Sequence, residues 1–326
     1  MKPLPELIRV KQSAGRGAVA ALVFCLAVVC VAGCTAAARA PSAARATAAG
    51  PAQPYPAVDI VVQGAVDTEL QPLLAALEGR EPIQIAAWTF WRGRIGGQTV
   101  VVSRTEVGPV NASTATTLAI VNFRPRLIIN QGTAGAAVAD LELFDIVVGE
   151  ATVDYGAFRS AQAGSGTGVD LSRWAPMPHR LRLDGKDRVA FDRFPGDAAA
   201  IAAALKIPNP RGRVVKGIVG SAFEFNREVD RLVWMNRTYG VVSEDMESAY
   251  AAGTAAGFKT PFVAIRIISD SEFHAAEFQP VAGEYCAAFV LDLVKRWSVR
   301  STSSHDGQQS GQFGHNHPNV PPVSSP

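Results

Sequence analysis

The sequence predicts an α/β protein, a three-layer α/β/α sandwich around a mixed central β-sheet. Three observations carry that expectation. Strand-like and helix-like patterns alternate from about residue 58 to residue 297. The chain has 326 residues and is 48% apolar and 18% charged, enough apolar material for one large core and too much for a disordered chain. Several strand-like runs end in small or acidic residues, at the carboxyl ends where open α/β sheets gather ligands.

Taken in order, Val58 to Gln63 is a β-rich run leading to Gly64, and Leu70 to Leu77 follows at helical spacing with Gly79 as its stop. Ile83 to Trp91 and Thr99 to Arg104 flank Gly96-Gly97 and read as a hairpin. A helix from about Asn111 to Asn122 leads to a buried strand, Arg126 to Asn130. Further strands are expected at Asp145 to Val148, Val214 to Val219 and Pro261 to Ile268. The remaining helices fall at Asp197 to Leu205, Met246 to Ala256 and Val281 to Trp297.

The ends read differently. Lys2, Arg9, Lys11 and Arg16 against Glu6 give the first 33 residues a charge of +3, leaving −1 for the rest of a chain whose total is +2. A near-neutral remainder excludes a strongly basic nucleic-acid binder. Behind the basic stretch, Ala18 to Val31 is a short apolar run followed by Ala32-Gly33-Cys34, the pattern of a secretory signal rather than a membrane span. Val31-Ala32-Gly33-Cys34 resembles the lipobox of bacterial lipoproteins, which implies lipid on Cys34 and a cell-envelope location outside the cytoplasmic membrane, with an uncleaved anchor or ordinary cleavage as alternatives. The expected organisation is a signal over 1–33, an Ala/Pro-rich tether over 34–56, a catalytic domain over 57–298 and a polar tail over 299–326. Tail residues His305, His315 and His317 read as solvated side chains, and no metal site is expected. With Cys25 and Cys30 lost in the signal, Cys286 stands alone in an apolar helical pattern and reads as a buried structural thiol.

Four strand ends carry candidate chemistry. Gly64-Ala65-Val66-Asp67-Thr68-Glu69 places a carboxylate in the turn that follows the first strand, a position that the helix dipole alone also favours. Asn130-Gln131-Gly132-Thr133-Ala134-Gly135 is a small-residue turn that lets backbone approach a ligand closely; it is neither a dinucleotide fingerprint nor a P-loop. Asp245-Met246-Glu247 sits at a helix start, and Ser269-Asp270 closes the strand containing Arg266.

In this order, with Gly220-Ser221-Ala222-Phe223 between them, the segments resemble the nucleoside phosphorylase/nucleosidase superfamily, and within it the 5′-methylthioadenosine/S-adenosylhomocysteine nucleosidases, over roughly Val58 to Trp297. The resemblance implies hydrolysis of a purine nucleoside's N-glycosidic bond without a cofactor, in a homodimer. It assigns Asp270 as the acid that protonates N7 and Glu69 as the base that activates water. It assigns Glu247 to the ribose hydroxyls, Met246 to the sugar, Thr133 and Ala134 to the substrate-binding turn, and Phe223 to the face of the base. Arg266 and Ser269 would position the acid, Phe278 would cover the 5′ side, and Phe158 would reach a neighbouring subunit's site.

Superfamily phosphorylases need cations for phosphate. Where related hexameric enzymes place arginine, this chain has Asn130, and Gly64 to Leu70 contains no Lys or Arg. Water is therefore the expected nucleophile, with phosphorolysis and a non-catalytic nucleoside-binding lipoprotein as the alternatives. Three features depart from the family pattern: Thr133 where serine is commoner, Glu224 where an aliphatic residue usually follows Phe223, and a long stretch from Ala161 to Arg213.

Overall fold

The computed structural model describes residues 55–297. The expected signal, Cys34, the expected tether up to residue 54 and the histidine-containing tail lie outside the described residues.

Strand β1 (Ile60–Gly64) is buried throughout and pairs in parallel with β4 (Gln98–Arg104) on one side and β5 (Leu127–Ala136) on the other. A short 3-10 turn, Asp67–Glu69, and helix α1 (Gln71–Ala76) follow β1. Strands β2 (Glu78–Ile85) and β3 (Trp88–Ile95) then run antiparallel into β4 as a meander. The expected single hairpin is thus two: Ala86, at φ 50°, turns the chain inside the run that reads as one strand from Ile83 to Trp91. Gly79 does not end α1 but lies inside β2, at an irregularity in its ladder with β3.

Helix α2 (Pro109–Phe123) starts with proline, whose missing N–H costs nothing in the first turn. The next strands are β6 (Ile146–Asp154), β7 (Phe158–Arg159), β8 (Ala175–Pro176), β9 (His179–Arg182), β10 (Arg188–Phe191) and β11 (Phe194–Pro195). Helix α3 (Ala198–Ala204) is capped by Asp197, which accepts the Ala200 N–H at 2.8 Å. Strand β12 (Val214–Ser221), helix α4 (Val229–Tyr239), strand β13 (Val241–Asp245), helix α5 (Ser248–Gly257), strand β14 (Phe262–Asp270) and helix α6 (Val281–Arg296) complete the fold.

The central sheet is mixed, as expected from the alternation, and runs β11-β6-β12-β13-β5-β1-β4-β3-β2. Strand β14 pairs with both β5 and β6, so β5, β14, β6, β12 and β13 close into a ring at one end of the sheet. Alternation of side chains gives each strand two buried faces. Ile60, Val62, Val100, Val102, Ile129 and Ile265 face α1, α3 and α6, whereas Val61, Val101, Ile128 and Val147 face α2 and α5. At about 1.5–3 kcal/mol for each fully buried aliphatic side chain, these two layers dominate stability. Cys286 belongs to the first layer, fully buried, and burial pushes its thiol up to about 12.

The stretch between β6 and β12 is built locally. Phe158 stacks on Trp174 of the same chain, with centroids 3.9 Å apart and planes 10° apart. Asp145, at the entrance to β6, serves this architecture by accepting the Arg213 N–H at 2.6 Å and pairing with its guanidinium at 2.7 Å.

Candidate active site

The carboxyl ends of β1, β5, β12, β13 and β14 surround a cleft of about 190 Å³. Glu69, Thr133, Ala134, Met246, Glu247, Ser269, Asp270 and Phe278 all line it, so eight of the residues singled out in the sequence converge on one place. Two do not line it. Arg266 lies behind the wall, and Phe223 is 69% exposed, its ring against Gly108; Phe225 occupies the lining instead.

Glu69 is 3% exposed at the end of the turn after β1. Its Oε2 accepts the backbone N–H groups of Ala65 at 2.7 Å and Val66 at 3.3 Å. Its Oε1 accepts the backbone N–H of Thr133 at 2.9 Å and the Thr133 hydroxyl at 3.1 Å. The turn between β1 and α1 therefore folds back on its own acid, and the middle of β5 completes the clamp. A β-carbon at Gly132 would stand 2.5 Å from Glu69 Oε1 and 2.6 Å from Arg266 Nη1. The small-residue turn thus makes room for the Glu69 carboxylate itself, a closer demand than the ligand for which the sequence suggested it.

Asp245 ends β13, and Glu247 stands at the N-cap position of α5. Asp245 Oδ1 accepts the N–H groups of Glu247 and Ser248, each at 3.0 Å, and the Ser221 hydroxyl at 2.5 Å. Its Oδ2 pairs with Arg266 Nε at 2.6 Å, and both side chains are 1% exposed. Arg266 also donates to Ser248 Oγ and to Asn130 Oδ1. Burial opposes the charge on this guanidinium, but Asp245, Glu247 and Glu69 outweigh it and raise its proton affinity. Asn130, at the position that related hexameric enzymes give to arginine, is a partner for Arg266.

Glu247 Oε1 accepts the Gly108 N–H at 2.8 Å, which ties the start of α2 to the cleft. Burial and the neighbouring Asp245 push Glu247 up to about 7, against the pull of Arg266. Asp270 is raised by its burial, against a hydrogen bond from the Ser269 hydroxyl at 2.6 Å. A carboxyl that keeps its proton more readily than usual therefore faces the same cleft as a fully clamped carboxylate.

The sequence places Glu244 among the acids at a helix start, but the sequence reading gives no role to it or to the residues that hold it. Glu244 lines the cleft at 8% exposure, and its Oε2 accepts from the Tyr155 hydroxyl at 2.7 Å and from the Asn226 amide. Burial pushes it up to about 7. Glutamate is a poor strand former, and its place at the end of an apolar β-run was the available signal. Glu224 also lines the cleft, with its Oε1 accepting from Arg231 Nε at 3.2 Å.

Residues 59–295 match the family model described as the phosphorylase superfamily. The chain belongs to the phosphorylase superfamily. It is 30% identical over 249 residues to the 5′-methylthioadenosine/S-adenosylhomocysteine nucleosidase of Shewanella piezotolerans, covering 73% of this chain and 99% of that protein. The enzyme of the same name from Geobacillus kaustophilus is 29% identical over 237 residues, covering 71% and 94%. Among superfamily structures, the Neisseria meningitidis nucleosidase in complex with methylthio-immucillin-A superposes with a TM-score of 0.59 at 25% identity, covering 73% of this chain and 98% of that one. The futalosine hydrolase of Helicobacter pylori shares the fold, with a TM-score of 0.59 at 22% identity and coverage of 73% and 98%.

Proposed function

We propose that the chain hydrolyses the N-glycosidic bond of a purine nucleoside, releasing free base and sugar. One observation carries this reading: Asp270, whose burial raises its proton affinity, and a Glu69 carboxylate fixed by four hydrogen bonds share one cleft with Glu247. Asp270 gives its proton to N7, so the base leaves as a neutral molecule when the bond from C1′ to N9 breaks. Glu69 takes a proton from the water whose oxygen bonds to C1′. Glu247 accepts from the ribose hydroxyls, and its negative charge favours the cationic character that develops on the sugar.

Water is favoured over phosphate as the nucleophile. The cleft lining contains Glu69 and Glu247 and no Lys or Arg, and the guanidinium of Arg266 is committed to Asp245, Ser248 and Asn130. A phosphate dianion would enter against two carboxylates and lack charge-assisted bonds of about 1.5–3 kcal/mol each. The nucleosidase names of the relatives support the same choice.

The test incubates the purified chain with methylthioadenosine, adenosine, inosine and guanosine, with and without phosphate, and assays free base and free sugar. Release without phosphate, lost in Glu69→Gln, is expected. Strict dependence on phosphate overturns the hydrolytic reading, and binding without release favours a nucleoside-binding protein.

We also propose that Cys34 carries lipid and tethers the domain at the cell envelope, on the strength of Val31-Ala32-Gly33-Cys34 after a basic, apolar leader. Incorporation of labelled fatty acid that disappears in Cys34→Ser is the expected result; equal labelling of both chains would sink the proposal.

A further inference from the structure

One end of the cleft is a wall of carboxyl groups. Asp270, Glu244 and Glu224 stand there, and the cleft lining has no cation to answer them. Glu244 is fixed from behind through Oε2 by Tyr155 and Asn226, which leaves Oε1 facing forward. From the point that a β-carbon would occupy at Gly135, Asp270 Oδ2 is 3.1 Å away and Glu244 Oε1 is 3.5 Å away, so both acids address the same stretch of the wall. Glu224 is likewise held from behind. Its Oε1 takes a bond from Arg231, which is 5% exposed and packed over the ring of Trp234 at 4.6 Å. That leaves Glu224 Oε2 for another partner.

We propose that Glu244 and Glu224 read the edge of the base and select a purine that presents N–H donors there, with the guanine edge, N1–H and the 2-amino group, the best match. The proposal rests on the nucleosidase reading, which places N7 at Asp270. An ionised carboxylate only accepts hydrogen bonds. Adenine has one donor group on this edge, the 6-amine beside N7, and next to it the lone pair of N1, where an acceptor would face an acceptor and both would lose their water without compensation. A 6-oxopurine puts N1–H there instead, and guanine adds the exocyclic amine as a second donor. The resulting order is guanosine, then inosine, then adenosine, which departs from the adenosine-type nucleosides in the names of the relatives.

Two measurements at pH 8, where Glu244 is ionised, test this. The first compares kcat/KM for guanosine, inosine and adenosine in the unaltered chain, in Glu244→Gln and in Glu224→Gln. The ratio of guanosine to adenosine is expected to fall about tenfold or more in each variant, because a site that hydrogen-bonds a donor discriminates strongly by that bond. The half-buried Glu224 keeps the test open if Glu244→Gln fails to fold. The second is equilibrium dialysis with free guanine, hypoxanthine and adenine, which needs no turnover. Preferential binding of guanine without cleavage of any nucleoside would sink the nucleosidase reading and leave the base reading standing. Adenosine preferred by the unaltered chain, equal losses for all three nucleosides in the variants, or no preference among free bases would overturn the base reading.

Discussion

Thr133 holds Glu69 with two donors at once, its backbone N–H at 2.9 Å and its hydroxyl at 3.1 Å, both on Oε1. Family resemblance assigns Thr133 to the substrate, but in the structure its bonds go to Glu69, the proposed base. A general base works only when its lone pair points at the water it must deprotonate, so a side chain that sets this direction acts on kcat.

Thr133→Val keeps the backbone donor and removes the hydroxyl. Loss of one bond to a charged acceptor lowers kcat about tenfold. KM changes little, and Thr133→Ser restores most of the activity. Steady-state kinetics on the best nucleoside check this; a Val variant with unchanged kcat would show that the backbone N–H groups suffice.

On the proposed reading, Glu247 is expected to set the acid side of the pH profile. Burial and Asp245 push it up to about 7, and the ribose hydroxyls need its ionised form as acceptor. The sign follows: kcat/KM rises with pH through about 7 and levels above it. In Glu247→Gln, which carries no titratable proton, the residual activity is expected to lose this limb. An acid limb retained at the same pH in the variant assigns it elsewhere.

Arg266 and Asp245 form an ion pair 2.6 Å long with both side chains 1% exposed. Removing one partner strands a buried charge, so Arg266→Met is expected to cost about 3–5 kcal/mol. Adding Asp245→Asn recovers part of that loss, because the stranded charge goes too. Urea unfolding of the single and double variants measures the coupling; strictly additive losses would mean that the pair is not the unit of stability.

The layers of the sandwich are legible in the sequence because they rest on periodicity. Val58 to Gln63 and Pro261 to Ile268 alternate or run apolar, and they emerge as β1 and β14 with ends shifted by a few residues. The turn at Ala86 is not legible, since alanine carries no turn chemistry and its positive φ is imposed by the pairing of β2 with β3. Helix α4 escapes the pattern because Leu232-Val233-Trp234-Met235 is a short continuous apolar run rather than a helical stripe, and the buried face includes the charged Arg231. Likewise, the site's acids are readable as residues but not as a geometry. Nothing local couples Thr133 to Glu69, 64 positions apart, or Glu244 to Tyr155, 89 apart. Phe223 illustrates the converse, since motif order places it at the site while the chain directs it outward and brings Phe225 to the lining.

Glu244 should make stability depend on pH. Its carboxyl is raised from 4.5 to about 7 by burial, against the bonds from Tyr155 and Asn226 that favour the charge. A raised acid binds its proton more tightly folded than unfolded, so its contribution to stability is full below about 4.5 and is lost as pH rises through about 7. Glutamine in its place still accepts from Tyr155 and never ionises. Glu244→Gln should therefore match the unaltered chain near pH 4.5 and exceed it at pH 8. The excess is at most roughly 3–4 kcal/mol, since each tenfold gain in proton affinity on folding is worth roughly 1.4 kcal/mol. Thermal unfolding across that range decides it: a difference in Tm between the two chains that does not widen with pH would mean that Glu244 is ionised in the folded state at little cost.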